Sequence, residues 1–334
     1  MNNNLERFIA IKTEDGKIEE IMGKYMYYSL PKLIVKLDKV REICEAISFP
    51  VEVNEKVSLT DAFRSATSEI NHKIVDTLDS GELKIIKVYC RDNKKGEAEL
   101  LSRELVEETL DETTNSYKKL ANITLDKGSG KLMLSDIDDT SDRDIYRYFE
   151  EAKHYFELYQ ECIGNRSIET IADKYIASMC ATSISARGHH YFVPKAHMHK
   201  ISLLEDFFEL LGKENLFSYS DRRDSTYISI NSMYVADNEK QRDKMAHEFY
   251  LDMAKEIGEY QGRIIKLIQG GSKSQRILDR WELKIQAMEN KKREYEKILK
   301  RSLTDVDEEF SMLRGIYDNF RMSVKNTQIF GAAA

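Results

Sequence analysis

Residues 278–299, LDRWELKIQAMENKKREYEKIL, decide how the C-terminal part of this chain folds. Leu278, Trp281, Ile285, Met288, Lys292, Tyr295 and Leu299 step by three and four in alternation, a heptad seam with one polar member. Working outward, Phe249, Met253, Ile257, Tyr260, Ile264 and Leu267 keep helical spacing upstream, and Gly270-Gly271 interrupts the run. Downstream, Val306, Phe310, Leu313, Tyr317, Phe320 and Val324 give a third apolar face. Helices joined by short loops pack antiparallel. The spacing therefore predicts a three-helix bundle or coiled coil over residues 237–330, with the seam offered for self-association.

Residues 1–236 read differently. Asp15-Gly16 between Phe8–Thr13 and Lys17–Ile21 signals a hairpin. Pro31 opens an expected helix through Leu33, Val35, Leu37, Val40, Ile43, Cys44 and Ile47, which Pro50 stops. Ser58 or Thr60 caps a second, with Ala62, Phe63, Ala66, Ile70 and Ile74 on one face. Leu83–Cys90 reads as a strand, Glu97–Leu110 is ambiguous, and Leu120–Leu125 and Lys131–Leu134 flank a tight turn. Connections this short make the middle sheet antiparallel. Helices are expected over Asp142–Ile163, from a Ser167 cap to about Thr182, and over Lys195–Leu211, with a strand at His190–Pro194. A strand pair, Leu216–Tyr219 and Thr226–Val235, closes the region. The fold class is α+β: helices with a small antiparallel sheet, then a helical bundle.

Composition narrows the function classes. A chain of 334 residues suits two domains, and 3 prolines with 15 glycines favour long helices. The net charge of −7 excludes a globally basic nucleic-acid surface. Cys44, Cys90, Cys162 and Cys180 form no CxxC pair, which suits a reducing compartment. A polar start and no long apolar run lead us to expect no signal peptide, no membrane segment and a cytoplasmic location.

Candidate chemistry is sparse. His189, His190, His197 and His199 crowd one window, but neighbours on a strand point to opposite faces. Histidines two apart on a helix do not face each other either. A zinc site there needs Cys180 or a carboxylate to swing in. Arg222-Arg223, beside Tyr219 and Tyr227 on an expected hairpin, suits phosphate or base stacking. Lys291-Lys292-Arg293 lies among Glu289, Glu294 and Glu296, the pattern of a solvated helix face. The glycines at 128–130 and 270–271 lack the rest of a phosphate-loop pattern and read as turns.

Lys131 to Thr140, an apolar run ending in Asp136-Ile137-Asp138-Asp139-Thr140, resembles the first motif of the haloacid-dehalogenase phosphatases. That resemblance implies a parallel Rossmann-like sheet and a Mg²⁺-dependent phosphohydrolase, with Asp136 as nucleophile and Asp138 as general acid. Here the strand follows a tight turn, and Ser141-Asp142-Arg143-Asp144 replaces the apolar continuation.

Two further segments, Asp61–Ser68 (DAFRSATS) and Arg187–Pro194 (RGHHYFVP), resemble an uncharacterised family of phages and mobile elements. The resemblance implies a phage or mobile-element context and, if phage-encoded, the host cytoplasm; it carries no activity. It directs attention to Arg64 and Arg187, since an arginine fork holds a carboxylate or phosphate bidentately. The reading reached is a non-enzymatic interaction protein, without cofactor, that binds a protein partner or self-associates. A Mg²⁺ phosphohydrolase and a nucleic-acid-binding module are the alternatives.

Overall fold

The computed structural model describes residues 10–12, 18–77, 83–93, 99–110, 116–217, 228–272 and 274–331. It is an α+β protein whose sheets are antiparallel. The expected strand segment 218–219 and Arg222-Arg223 lie outside the described residues.

Two compact units emerge, one of residues 30–172 and 207–227, the other of 1–29, 173–206 and 228–334. This differs from the sequential division at 236/237. The division falls instead inside two helices, α4 (Asn165–Ala177) and α5 (Ile201–Lys213).

The 30–172 unit is built around a meander. Strands β4 (Asn71–Thr77), β5 (Leu83–Asp92), β6 (Leu100–Leu110), β7 (Ser116–Asp126) and β8 (Leu132–Ser135) pair in chain order, every neighbour antiparallel. Asp126 N–H donates to the Lys131 carbonyl and closes the expected turn before β8. Helices α2 (Leu59–Glu69) and α3 (Ile145–Tyr159) lay apolar faces on this sheet. Ser58 caps α2, accepting from Asp61 N–H at 3.1 Å. Phe63, Ala66, Val88, Leu105, Ile123 and Phe156 share the resulting core. Burying a side chain the size of Phe63 contributes roughly 1.5–3 kcal/mol.

The first expected helix starts late. Leu33, Ile34 and Val35 are all buried, and Ile34–Lys36 forms strand β3 against β9 (Cys162–Gly164) before α1 (Leu37–Ala46) begins. Consecutive buried apolar residues suit a strand covered on both faces, and tertiary contacts override the helical spacing. Asn165 Oδ1 accepts from Leu33 N–H at 2.7 Å and Asn215 Oδ1 from Ile34 N–H at 3.0 Å.

The other unit centres on the twelve-residue β2 (Ile18–Ser29). It pairs with β1 (Ala10–Lys12), β11 (His189–Pro194) and β12 (Ser229–Ala236), all antiparallel. β11 continues to β10 (Thr182–Ser183). Long helices α6 (Glu239–Gln269), α7 (Gln275–Leu299) and α8 (Asp307–Gly331) follow, the first two capped by Asn238 and Ser274. Leu278, Trp281, Ile285, Met288, Tyr295 and Leu299 are buried in one cluster with residues of α6 and α8 and with Met22, Phe192 and Val235 of the sheet. The heptad seam thus lines the unit's own core rather than a face open to a second copy. That is why the helices group with β2 and not as a separate C-terminal domain.

Candidate functional site

Asp136 and Asp138 follow β8, the antiparallel end strand of the meander, and not the parallel strand the phosphatase resemblance implies. Asp136 sits at φ 49°, in the left-handed region that Asp tolerates better than most side chains. Its Oδ2 accepts from Asn122 at 2.8 Å and Lys119 at 3.0 Å. Asp138 accepts from Thr140 Oγ1 at 2.6 Å and pairs with Lys118 at 2.9 Å. The Thr140 hydroxyl first, and then Lys118, hold its carboxyl down at about 2. A general acid carries its proton near the working pH, whereas Asp138 is held ionised.

Arg64 stands on α2 and lines a cavity of about 410 Å³ with Arg166, at the start of α4. Ser65, Ser68, Ser167 and Thr170 add hydroxyls to the wall. The carboxylates nearby are engaged: Glu69 pairs with Lys32 and accepts from Tyr159 Oη at 2.5 Å, and Asp61 accepts from Ser58 Oγ at 2.7 Å. Among the described residues, neither arginine side chain has a carboxylate partner. The N-terminal turn of α4, which begins at Asn165 ahead of the expected Ser167 cap, adds the positive end of a helix dipole. The assembly suits a bound carboxylate or phosphate. Periodicity pointed to α2 but not to Arg166, because an exposed arginine in a first helical turn leaves no periodic mark.

The histidine window divides. In β11, His189 stacks on Tyr28 at 4.2 Å and His190 on Tyr27 at 6.0 Å, on opposite faces as adjacent strand residues must be. His197 lies in a 3₁₀ turn, Lys195–Lys200, with its Nε2 3.0 Å from Glu294 Oε1 of α7. Cys180 completes a trio: one ligand atom each from Cys180, His197 and Glu294 lies within 4.8 Å of the others. From sequence, a zinc site there needs Cys180 or a carboxylate, and Glu294 reads as part of a solvated face. Fold geometry brings it to His197. His189, His190 and His199 are outside this group. Burial first, and then the Glu294 carboxylate, push the Cys180 thiol up to about 11.

Cys180 also lines a cavity of about 740 Å³ in its unit, together with His189, Tyr191, Asp252, Lys255 and Lys291. Lys291 pairs with Asp252 at 3.2 Å. Burial raises the Asp173 carboxyl, which also lines this space. Arg187 is exposed between the cavity-lining Ala186 and Gly188.

Residues 21–325 match the Family of unknown function (DUF6744), and the chain belongs to it. No match was found among curated proteins or among solved structures. No helix among the described residues is long and apolar enough to cross a membrane.

Proposed function

We infer that this is a non-catalytic binding protein of a phage or mobile element, acting in the host cytoplasm, that holds an acidic group of a protein partner between Arg64 and Arg166. One observation carries the reading. Two arginines line one cavity without a carboxylate partner among the described residues, while the carboxylates beside them are engaged elsewhere. An arginine left unpaired beside hydroxyl donors suits a carboxylate arriving from outside. The likeness of segments 61–68 and 187–194 to proteins of phages and mobile elements supports the context, and the first segment contributes Arg64. Against the phosphohydrolase alternative stand the ionised Asp138 and the antiparallel strand before it. Self-association belongs to the same proposal and would use outward apolar residues such as Leu283, Met312 and Met322, since the heptad seam is internal.

The test is capture from host lysate by the full chain and by R64A/R166A, with nuclease treatment as a second arm. A protein retained by the wild type and at least about tenfold depleted on the variant is expected, since charge-assisted hydrogen bonds contribute roughly 1.5–3 kcal/mol each. Equal retention by both would sink the arginine site. Retained material that nuclease removes would replace it with the nucleic-acid alternative.

A further inference from the structure

The trio at Cys180 differs in kind from the arginine cavity, because it brings three different metal-ligating chemistries to one point. Thiolate, imidazole and carboxylate together are a donor set of borderline softness, the set that zinc accepts and that magnesium or calcium does not favour. These side chains come from the residues just after α4, from the 3₁₀ turn at 195–200 and from α7, separated by up to 114 positions along the chain.

Their supports converge independently. Cys180 holds a left-handed backbone, φ 51°, a conformation that non-glycine residues adopt uncommonly. Tyr295, wholly buried beside Glu294, donates its hydroxyl to the Cys180 carbonyl at 3.0 Å and fixes that turn. Lys200 Nζ donates to the Ser178 carbonyl at 2.8 Å, and Tyr175 Oη donates to the Lys200 carbonyl at 2.9 Å. Lys200, which ends the turn carrying His197, is thereby tied once to the turn carrying Cys180 and once to the last turn of α4 before it. The three side chains are partly buried, and Cys180 lines the 740 Å³ cavity.

We propose that Cys180 Sγ, His197 Nε2 and Glu294 Oε1 form a zinc(II) site with its fourth coordination position open to this cavity. Closed structural zinc sites use four protein ligands; three ligands, of which Cys180 lines the cavity, leave a place for water or for a group brought by a partner. The 3.0 Å His197–Glu294 contact already brings two of the three ligand atoms to one point. This site is independent of the arginine reading, which lies in the other unit.

Cobalt(II) and zinc(II) alone are the probes. The full chain, stripped with chelator, is titrated with cobalt(II) while its near-ultraviolet and visible absorption is recorded. A thiolate-to-cobalt charge-transfer band that saturates at one ion per chain and is abolished by zinc(II) is the expected result. C180S should lose the band, and H197A and E294Q should each bind at least about tenfold more weakly, the lower end of the loss known even for outer-shell partners. A measurement on the unaltered chain guards against misfolded variants: zinc(II) should protect Cys180, and not Cys44, Cys90 or Cys162, from alkylation mapped by mass spectrometry. A chain that takes up no stoichiometric cobalt, a band that survives C180S, or Cys180 alkylated equally with and without zinc would each overturn the assignment.

Discussion

The two units are assembled by opposite routes. In one, five strands pair in chain order and α2 and α3 cover them, so most of the core is closed by neighbours in sequence. In the other, β2 pairs with β11 more than 150 residues away and with β12 about 200 away, and the terminal helices complete its core. Closing the distant pairings costs only about 2–3 kcal/mol more chain entropy than closing short loops, which burial of one or two side chains offsets. Candidate sites follow the same split. The arginine cavity unites residues about 100 positions apart, and the zinc trio needs three separate segments.

Emptying each core in turn separates the two units most sharply. F63A and F249A each remove a fully buried ring, one per unit, and each should cost about 3–5 kcal/mol. Hydrogen exchange is the discriminating readout. F63A should expose amides of strands β4 to β8 of the meander, and F249A those of β2, β11, β12 and the terminal helices. Loss of protection spreading equally through both regions in both variants would dissolve the division into two units.

A milder perturbation probes the distant pairing alone. At Gly23 in β2, an added Cβ would lie 2.2 Å from the Val193 carbonyl oxygen and 2.7 Å from the Phe192 ring. Backbone cannot yield as a flexible side-chain end can, so G23A should destabilise by about 1–3 kcal/mol, read from urea unfolding. An unchanged unfolding midpoint would mean that β2 and β11 are not held as closely as the register requires.

The smallest expected effect concerns Asp138 in the local unit. Its folded pKa, about 2, lies below the ordinary carboxylate value of roughly 3.9. The contribution of its ionised form is fully present above the ordinary value and is lost as pH falls through about 2. The wild type should therefore exceed D138N slightly in stability at pH 5, with the gap closing towards pH 2. Added salt should shrink it, because the group is exposed. A gap that widens on acidification would show that Thr140 and Lys118 do not hold the carboxylate.

Sequence by itself determined the α+β class, the Asp126–Lys131 turn, a helix cap at Ser58 or Thr60 and the apolar faces of the three terminal helices, because each depends on residues a few positions apart. It could not determine where those faces go. The seam from Leu278 to Leu299 has the same spacing whether it meets a second chain or the sheet of its own unit, and only the tertiary structure placed it against Met22, Phe192 and Val235. Likewise the segment around Val35 fits a helix by spacing, and pairing of Ile34–Lys36 with β9 made it a strand. Arg166 and Glu294 look like ordinary surface charges in sequence. What makes them candidates is the distant residue each one meets, and long-range pairing leaves no local trace in a single sequence.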